Sequence, residues 1–269
     1  MSCHVWILGL RDFYRGQKLE EQLKFQNLDF SNFWGYNGNK DLNLIKDNNI
    51  NQKFPRFIYG RDLLPTEIAA SLGHIAIYQE LLNSPNEWAL ILEDDAQIAP
   101  KLMEFISKLI DYKKPAVITL NSGAGFRFYK LSIIPRGLHK KIVEISRLLE
   151  LPSLAHGYLV NKQAVLMMDF EKMKNLISVA DWPYIWPSSF EYYMTKINYV
   201  SVGDKNSTSL IGDRESLPST SPSYWMPSIN RLMTAHKFGI SFKQAFYREV
   251  WIKILRFCYR MLNLVRGRY

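Results

Sequence analysis

Three consecutive carboxylates, Glu93-Asp94-Asp95, close the apolar run Trp88-Ala89-Leu90-Ile91-Leu92. Five apolar residues in succession read as a strand buried on both faces, and adjacent acids at its end repel one another unless a cation joins them. Oxygen ligands at the C-terminal end of a buried strand suit Mg²⁺ or Mn²⁺, with a substrate's phosphate oxygens completing the coordination. The same three residues also fit a solvated strand end or a helix cap, in which Asp94 or Asp95 accepts backbone N–H bonds. Both readings stay open on the triplet alone. Alternation along an extended chain puts Glu93 and Asp95 on one side, so on the metal reading those two are the expected ligands, directly or through water.

Just upstream, Leu64-Pro65-Thr66-Glu67-Ile68 opens a helical pattern with Thr66 as its expected N-cap. Glu67, Ser71, His74 and Tyr78 recur at i, i+4, i+7 and i+11, so they share one helical face, with Ile68, Leu72, Ile75 and Ala76 opposite. A polar stripe of this kind is either a solvent face or, in a helix feeding an acidic strand, a face turned toward the same ligand. The second reading makes Glu67 and His74 candidate ligand-binding residues. Asn121-Ser122-Gly123-Ala124-Gly125 follows the apolar stretch at 116–120 and is either a plain turn or a close approach to a ligand through Asn121 and the glycines.

These groups need a scaffold, and the pattern supplies one. Strands are expected at 4–10, 28–34, 88–93, 116–120, 154–160 and 197–202, and helices at 15–26, 66–83, 138–150, 161–177 and 188–196. Such a βα order predicts an α/β fold: a mixed, mainly parallel sheet with helices on both faces. The polar stretch 35–55 reads as a long surface loop, and the Pro- and Ser-containing stretch 203–228 separates a body, 1–228, from a tail, 229–269.

The chain of 269 residues is 47% hydrophobic, enough for a substantial core and too much for a disordered protein. Its net charge of +9 is concentrated in residues 231–269, which hold nine Lys/Arg against Glu249 alone. The nearly neutral body argues against a nucleic-acid-binding face. Two distant cysteines, Cys3 and Cys258, suit a reducing compartment, and the start lacks the basic region of a signal peptide, so a cytoplasmic location is expected.

Leu64 to Tyr78 followed by Leu92-Glu93-Asp94-Asp95 resembles glycosyltransferase family 25, the bacterial lipooligosaccharide biosynthesis transferases, in which a Pro-Gly-Glu-Ile-Gly…Ser-His helix precedes Leu-Glu-Asp-Asp. The chain departs from that pattern at Thr66, Ala69 and Gly73. The segments Ala155-His156-Gly157-Tyr158 and Ala180-Asp181-Trp182 resemble later family motifs, which extends the likeness over about residues 4–215. The resemblance implies a GT-A-like, Rossmann-type fold, a UDP-sugar donor and inversion at the anomeric carbon. Asp94 then lies nearer the ribose or sugar, while Glu93 and Asp95 hold Mn²⁺ or Mg²⁺. Asp181, set among Trp182, Tyr184 and Trp186, is the first candidate for the base that deprotonates the acceptor, with Glu191 in reserve. Residues 197–215 hold no histidine to serve as a late metal ligand, which leaves Asp204 or, more weakly, His236.

Wound as helices, residues 242–266 put Phe246, Trp251, Ile254, Leu255 and Met261 on one face and Arg248, Lys253, Arg256 and Arg260 on the other. This amphipathic C-terminal pattern fits an interfacial helix on an anionic inner-membrane surface, or one docked on the body. The full expectation is a peripheral, cytoplasmic hexosyltransferase that moves galactose, or else glucose, to a lipid-linked oligosaccharide core acceptor. A Mg²⁺-dependent phosphohydrolase or phosphotransferase and a non-catalytic membrane adaptor are the rivals.

Overall fold

The computed structural model describes residues 3–41, 43, 47–48, 50–59, 61–109, 111–121, 145–147, 156–175, 177, 191–203, 232–233, 235–238, 240–246, 250 and 254. Among these residues, seven strands make one sheet. They are β1 (Cys3–Gly9), β2 (Phe30–Trp34), β3 (Trp88–Glu93), β5 (Ala116–Thr119), β6 (Ile145–Arg147), β7 (Gly157–Asn161) and β8 (Glu191–Thr195), in the order β2-β1-β3-β7-β5-β8-β6. β1, β2, β3, β5 and β8 run one way, and β7 and β6 run the other. The mixed, mainly parallel sheet expected from the sequence is therefore present. A second, two-stranded sheet pairs β4 (Ala96–Ile98) with β9 (Val200–Val202).

Helices cover both faces, and the strand residues divide between them by alternation. Ala89 and Ile91 pack toward α3 (Pro65–Asn83) and α5 (Lys162–Leu166), with Ile68, Leu72, Ile75 and Val165. Leu90 and Leu92 pack toward α1 (Gln17–Phe25) and α4 (Leu102–Ser107), with Leu19, Leu23, Leu102 and Phe105. Every apolar residue of β3 is buried, which is why its sequence reads as an unbroken apolar run rather than an alternating one.

α3 departs from expectation in two ways. Its first residue is Pro65, so Thr66 lies inside the helix, and the Leu64 N–H donates to the Glu67 carboxylate at 2.9 Å instead. Its polar stripe faces no solvent either: Glu67, Ser71, His74 and Tyr78 are all buried. The helix lies close on β1 because position 73 is glycine; a Cβ there would meet the Leu8 side chain at 3.1 Å.

Three other helical expectations are corrected. Residues 191–195 form β8, since Tyr192, Tyr193 and Thr195 favour a pleated strand and pairing with β5 outweighs the helical period. Residues 145–147 form β6, the edge strand paired to β8, where a helix was expected. The helix expected over 161–177 is two short ones, α5 and α6 (Phe170–Asn175). The loop expected over 35–55 gives way at Lys53 to α2 (Lys53–Tyr59), whose Phe54 and Phe57 pack with Leu232, Ala235, Ile240 and Ala245. Most of the tail lies outside the described residues, apart from a short helix α7 (Phe242–Phe246) and neighbouring positions.

Candidate functional site

The parallel strands β1, β2 and β3 end at one edge, where Gly9 is level with Trp34 and Leu8 with Glu93. β3 stops at Glu93, and Asp94 and Asp95 form a tight turn into β4. The turn is tied on two sides: the Asp94 N–H donates to Leu8 O at 3.0 Å, and the Gly203 N–H donates to Asp95 O at 2.7 Å. Gly203 is needed there, because a Cβ would meet that carbonyl oxygen at 2.8 Å.

Because β7 runs antiparallel to β3, the residue preceding β7 lands beside the end of β3. That residue is His156. Its backbone carbonyl accepts the Glu93 N–H at 3.0 Å, and its Nδ1 lies 3.0 Å from Glu93 Oε2. Glu93, Asp95 and His156 each present a ligand atom within 4.8 Å of the others. The turn, rather than strand alternation, brings Asp95 to Glu93.

Electrostatics separates the three acids. Burial opposes ionisation of Glu93, but the His156 hydrogen bond and charge, aided by His74 and Arg15, hold its carboxyl below the ordinary range. Asp95 is pushed the other way, first by desolvation and then by the negative charge of Glu93. Its Oδ1 is buried without a hydrogen-bond partner among the described residues. Asp94 is nearly sealed, and both its oxygens are engaged: Oδ1 by Arg15 Nη2 at 2.7 Å and Oδ2 by the Arg15 N–H at 3.2 Å.

An orphaned carboxylate oxygen with a second carboxylate and an imidazole beside it is a donor set that fits a divalent cation. Glu93, Asp95 and His156 would hold it.

The remaining candidates fall at different depths. Glu67 is fully buried, with Oε1 and Oε2 each 2.8 Å from an Arg61 nitrogen. It therefore fixes the start of α3 rather than offering oxygens to a ligand. His74 Nδ1 lies 2.8 Å from the Tyr158 hydroxyl, which is 2.9 Å from the Tyr78 hydroxyl, so the polar stripe of α3 is a buried network leaning on β7. Asn121 follows Leu120, whose N–H donates to Gly157 O, and so sits at the same sheet edge as Glu93 and His156. Glu191 does not. The register sets it level with Ala116, Asn161 and Trp88, five residues of strand from Glu93, or about 17 Å. His236 is exposed on the tail segment, 3.0 Å from Met233 O. Asp181 and its aromatic neighbours, and Asp204, lie outside the described residues.

Two residues at the site were not selected from sequence. Arg15 had no motif to mark it. His156 stands in a segment that resembles the family, and its place one residue before an antiparallel neighbour of β3 is visible only in the structure.

The family model for glycosyltransferase family 25 (LPS biosynthesis protein) matches residues 4–179, more than half of the chain. The chain belongs to glycosyltransferase family 25. It is a glycosyltransferase, not a phosphohydrolase or an adaptor. The matched region contains Arg15, α3, the acidic turn and His156, and it ends before Asp181 and short of the residue 215 expected from motifs. Among solved structures, this family 25 chain is similar to a glycosyltransferase involved in the glycosylation of the major capsid of PBCV-1, at 12% identity over 71% of this chain and 81% of that one, with a TM-score of 0.37. It is also similar to HddC from Yersinia pseudotuberculosis complexed with GMP-PN, at 13% identity over 79% and 95%, with the same TM-score of 0.37. No curated protein matches it significantly.

Proposed function

We propose that this transferase moves a hexose, galactose before glucose, from a UDP-sugar to a lipid-linked oligosaccharide core acceptor, with inversion and with a divalent cation at Glu93, Asp95 and His156. The observation that carries the reading is the buried, unpartnered Oδ1 of Asp95 between two further ligand groups, at the edge where parallel strands end. Bound there, the cation supplies Lewis-acid stabilisation of the negative charge that grows on the departing diphosphate. Imidazole beside two carboxylates favours Mn²⁺ over Mg²⁺.

The chain's own part is placement and proton transfer. The His156 contact fixes the Glu93 carboxylate, and the Arg15 contacts keep Asp94 facing the loop after β1. An inverting displacement breaks the anomeric C–O bond to diphosphate as the acceptor oxygen bonds from the other side, so a base must stand opposite the leaving group. Asp181 is proposed for that role. Glu191, at the far end of its strand, is not.

Membrane attachment belongs to the same proposal. Part of the tail packs on Phe54 and Phe57, while Met233, Phe242, Phe246 and Ile254 remain exposed. Outward apolar side chains in a strongly basic segment suit an anionic lipid surface, where a lipid-linked acceptor would be found. No helix among the described residues is long and apolar enough to cross a membrane.

Turnover of UDP-galactose and UDP-glucose with Mn²⁺ tests the donor assignment. Release of UDP from UDP-galactose at a rate well above that from UDP-glucose supports it; turnover of neither, with another sugar nucleotide consumed instead, overturns it.

A further inference from the structure

Arg15 reaches the acidic turn from the loop between β1 and α1. Its Nη2 lies 2.7 Å from Asp94 Oδ1 and 3.3 Å from Asp95 Oδ2, so a single nitrogen serves two acids. Nε is buried with no acceptor, and Nη1 makes no bond among the described residues. Guanidinium carries five donors in a planar fork suited to two-pronged recognition of carboxylate or phosphate. Here most of that capacity is unused. The side chain as a whole is 31% exposed, with Nε itself buried.

The loop that carries Arg15 is held in place. The Tyr14 ring lies against Gly9 and Gly16; a Cβ on Gly16 would meet the ring at 2.4 Å. The Tyr14 hydroxyl donates to Glu20 Oε1 at 2.6 Å, and Asn32 Nδ2 donates to the same oxygen at 3.0 Å. α1 starts immediately after Arg15, with Gly16 as its N-cap and no capping side chain, so the helix's positive end adds to the arginine's charge.

Charge balance gives the arginine a purpose. Three carboxylates against one guanidinium leave two negative charges, which one divalent cation neutralises. A diphosphate then brings further negative charge, and among the described residues Arg15 is a cationic side chain at the turn with donors to spare.

We propose that Arg15 divides the work of the three carboxylates, holding Asp94 out of the cation site while leaving Asp95 Oδ1 to the cation, and gives its unused donors to the diphosphate of the nucleotide-sugar donor. The inference rests on the donor reading above. It makes Asp94 a positioning residue and Arg15 a contact to the leaving group.

The test is Arg15→Gln, read by two affinities rather than by turnover. Removing a positive charge beside Asp95 strengthens binding of Mn²⁺ alone several-fold, by electron paramagnetic resonance of the free ion. UDP binding at saturating Mn²⁺, measured by calorimetry, weakens about tenfold or more, as expected for a lost charge-assisted hydrogen bond. Arg15→Lys keeps the charge without the fork, so it leaves Mn²⁺ affinity near that of the wild type and still weakens UDP. Opposite shifts in Arg15→Gln support the proposal, because a misfolded site loses both affinities together. Parallel loss of both affinities in Arg15→Gln and Arg15→Lys, or unchanged UDP affinity in Arg15→Gln, overturns it. A wild-type protein that binds no nucleoside diphosphate overturns the donor reading itself; one that binds UDP no better than Arg15→Gln overturns only the role of Arg15.

Discussion

His156 Nδ1 lies 3.0 Å from Glu93 Oε2, and the backbones of the same two residues are joined by a hydrogen bond from Glu93 N–H to His156 O. The double tie links the start of β7 to the end of β3 and leaves Glu93 little freedom. A carboxylate oriented by an imidazole that is itself fixed by the sheet is prepared before any ligand arrives.

Replacing that imidazole removes a ligand atom and releases Glu93. His156→Ala is expected to lower Mn²⁺ affinity by at least about tenfold while leaving the unfolding midpoint in metal-free buffer nearly unchanged, since the His156 side chain is only part-buried. Paramagnetic resonance and urea denaturation read the two quantities separately. Unaltered Mn²⁺ binding removes His156 from the ligand set.

Glu67 and Arg61 make a stability prediction of a different kind. Arg61→Met removes the charged partner of a fully buried carboxylate and leaves it the Leu64 N–H, at a cost of about 3 kcal/mol. The double variant Arg61→Met with Glu67→Met removes both charges and is expected to recover most of the loss. Denaturant unfolding of the two proteins checks this, and equal instability of both would show that the ion pair is not the source.

His74 gives the fold a dependence on pH. Burial lowers it from an ordinary value of 6.5 to about 4, with the charge of Glu93 opposing, so it is neutral in the folded protein at pH 7. As pH falls through the ordinary value, the unfolded chain takes up a proton that the folded chain refuses until about 4. Its contribution to stability is therefore complete above about 6.5 and declines between there and 4, by about 3 kcal/mol in all. His74→Gln, measured without metal, should lose less stability than the wild type between pH 7 and pH 4.5. Identical pH slopes would contradict the assignment.

The strand that carries the acids was readable because burial on both faces leaves an unmistakable apolar run, and Glu93 and Asp95 could be named from their place at its end. What the run does not encode is its neighbour. β7 follows β3 by more than sixty residues of chain and pairs with it antiparallel, so the proximity of His156 is a fact of register rather than of spacing. The α3 stripe is open to two readings for a related reason: a helix covered on nearly all sides shows polar periodicity without a solvent face, and Ser71, His74 and Tyr78 are buried. The helical period expected over 188–196 fails at β8 because five residues are too few to fix a period against the pull of sheet completion. Arg15 was missed because a lone arginine in a loop has no pattern, and its meaning comes only from the acids it meets.

The central claim is that Asp95 completes a divalent-cation site for a nucleotide-sugar donor, and Mn²⁺ titration of the wild type and Asp95→Asn in the presence of UDP tests it most directly. One Mn²⁺ per chain is expected in the wild type and at least about a hundredfold weaker binding in Asp95→Asn, with the two proteins equally stable in metal-free buffer. Equal Mn²⁺ affinity in the two proteins would contradict it.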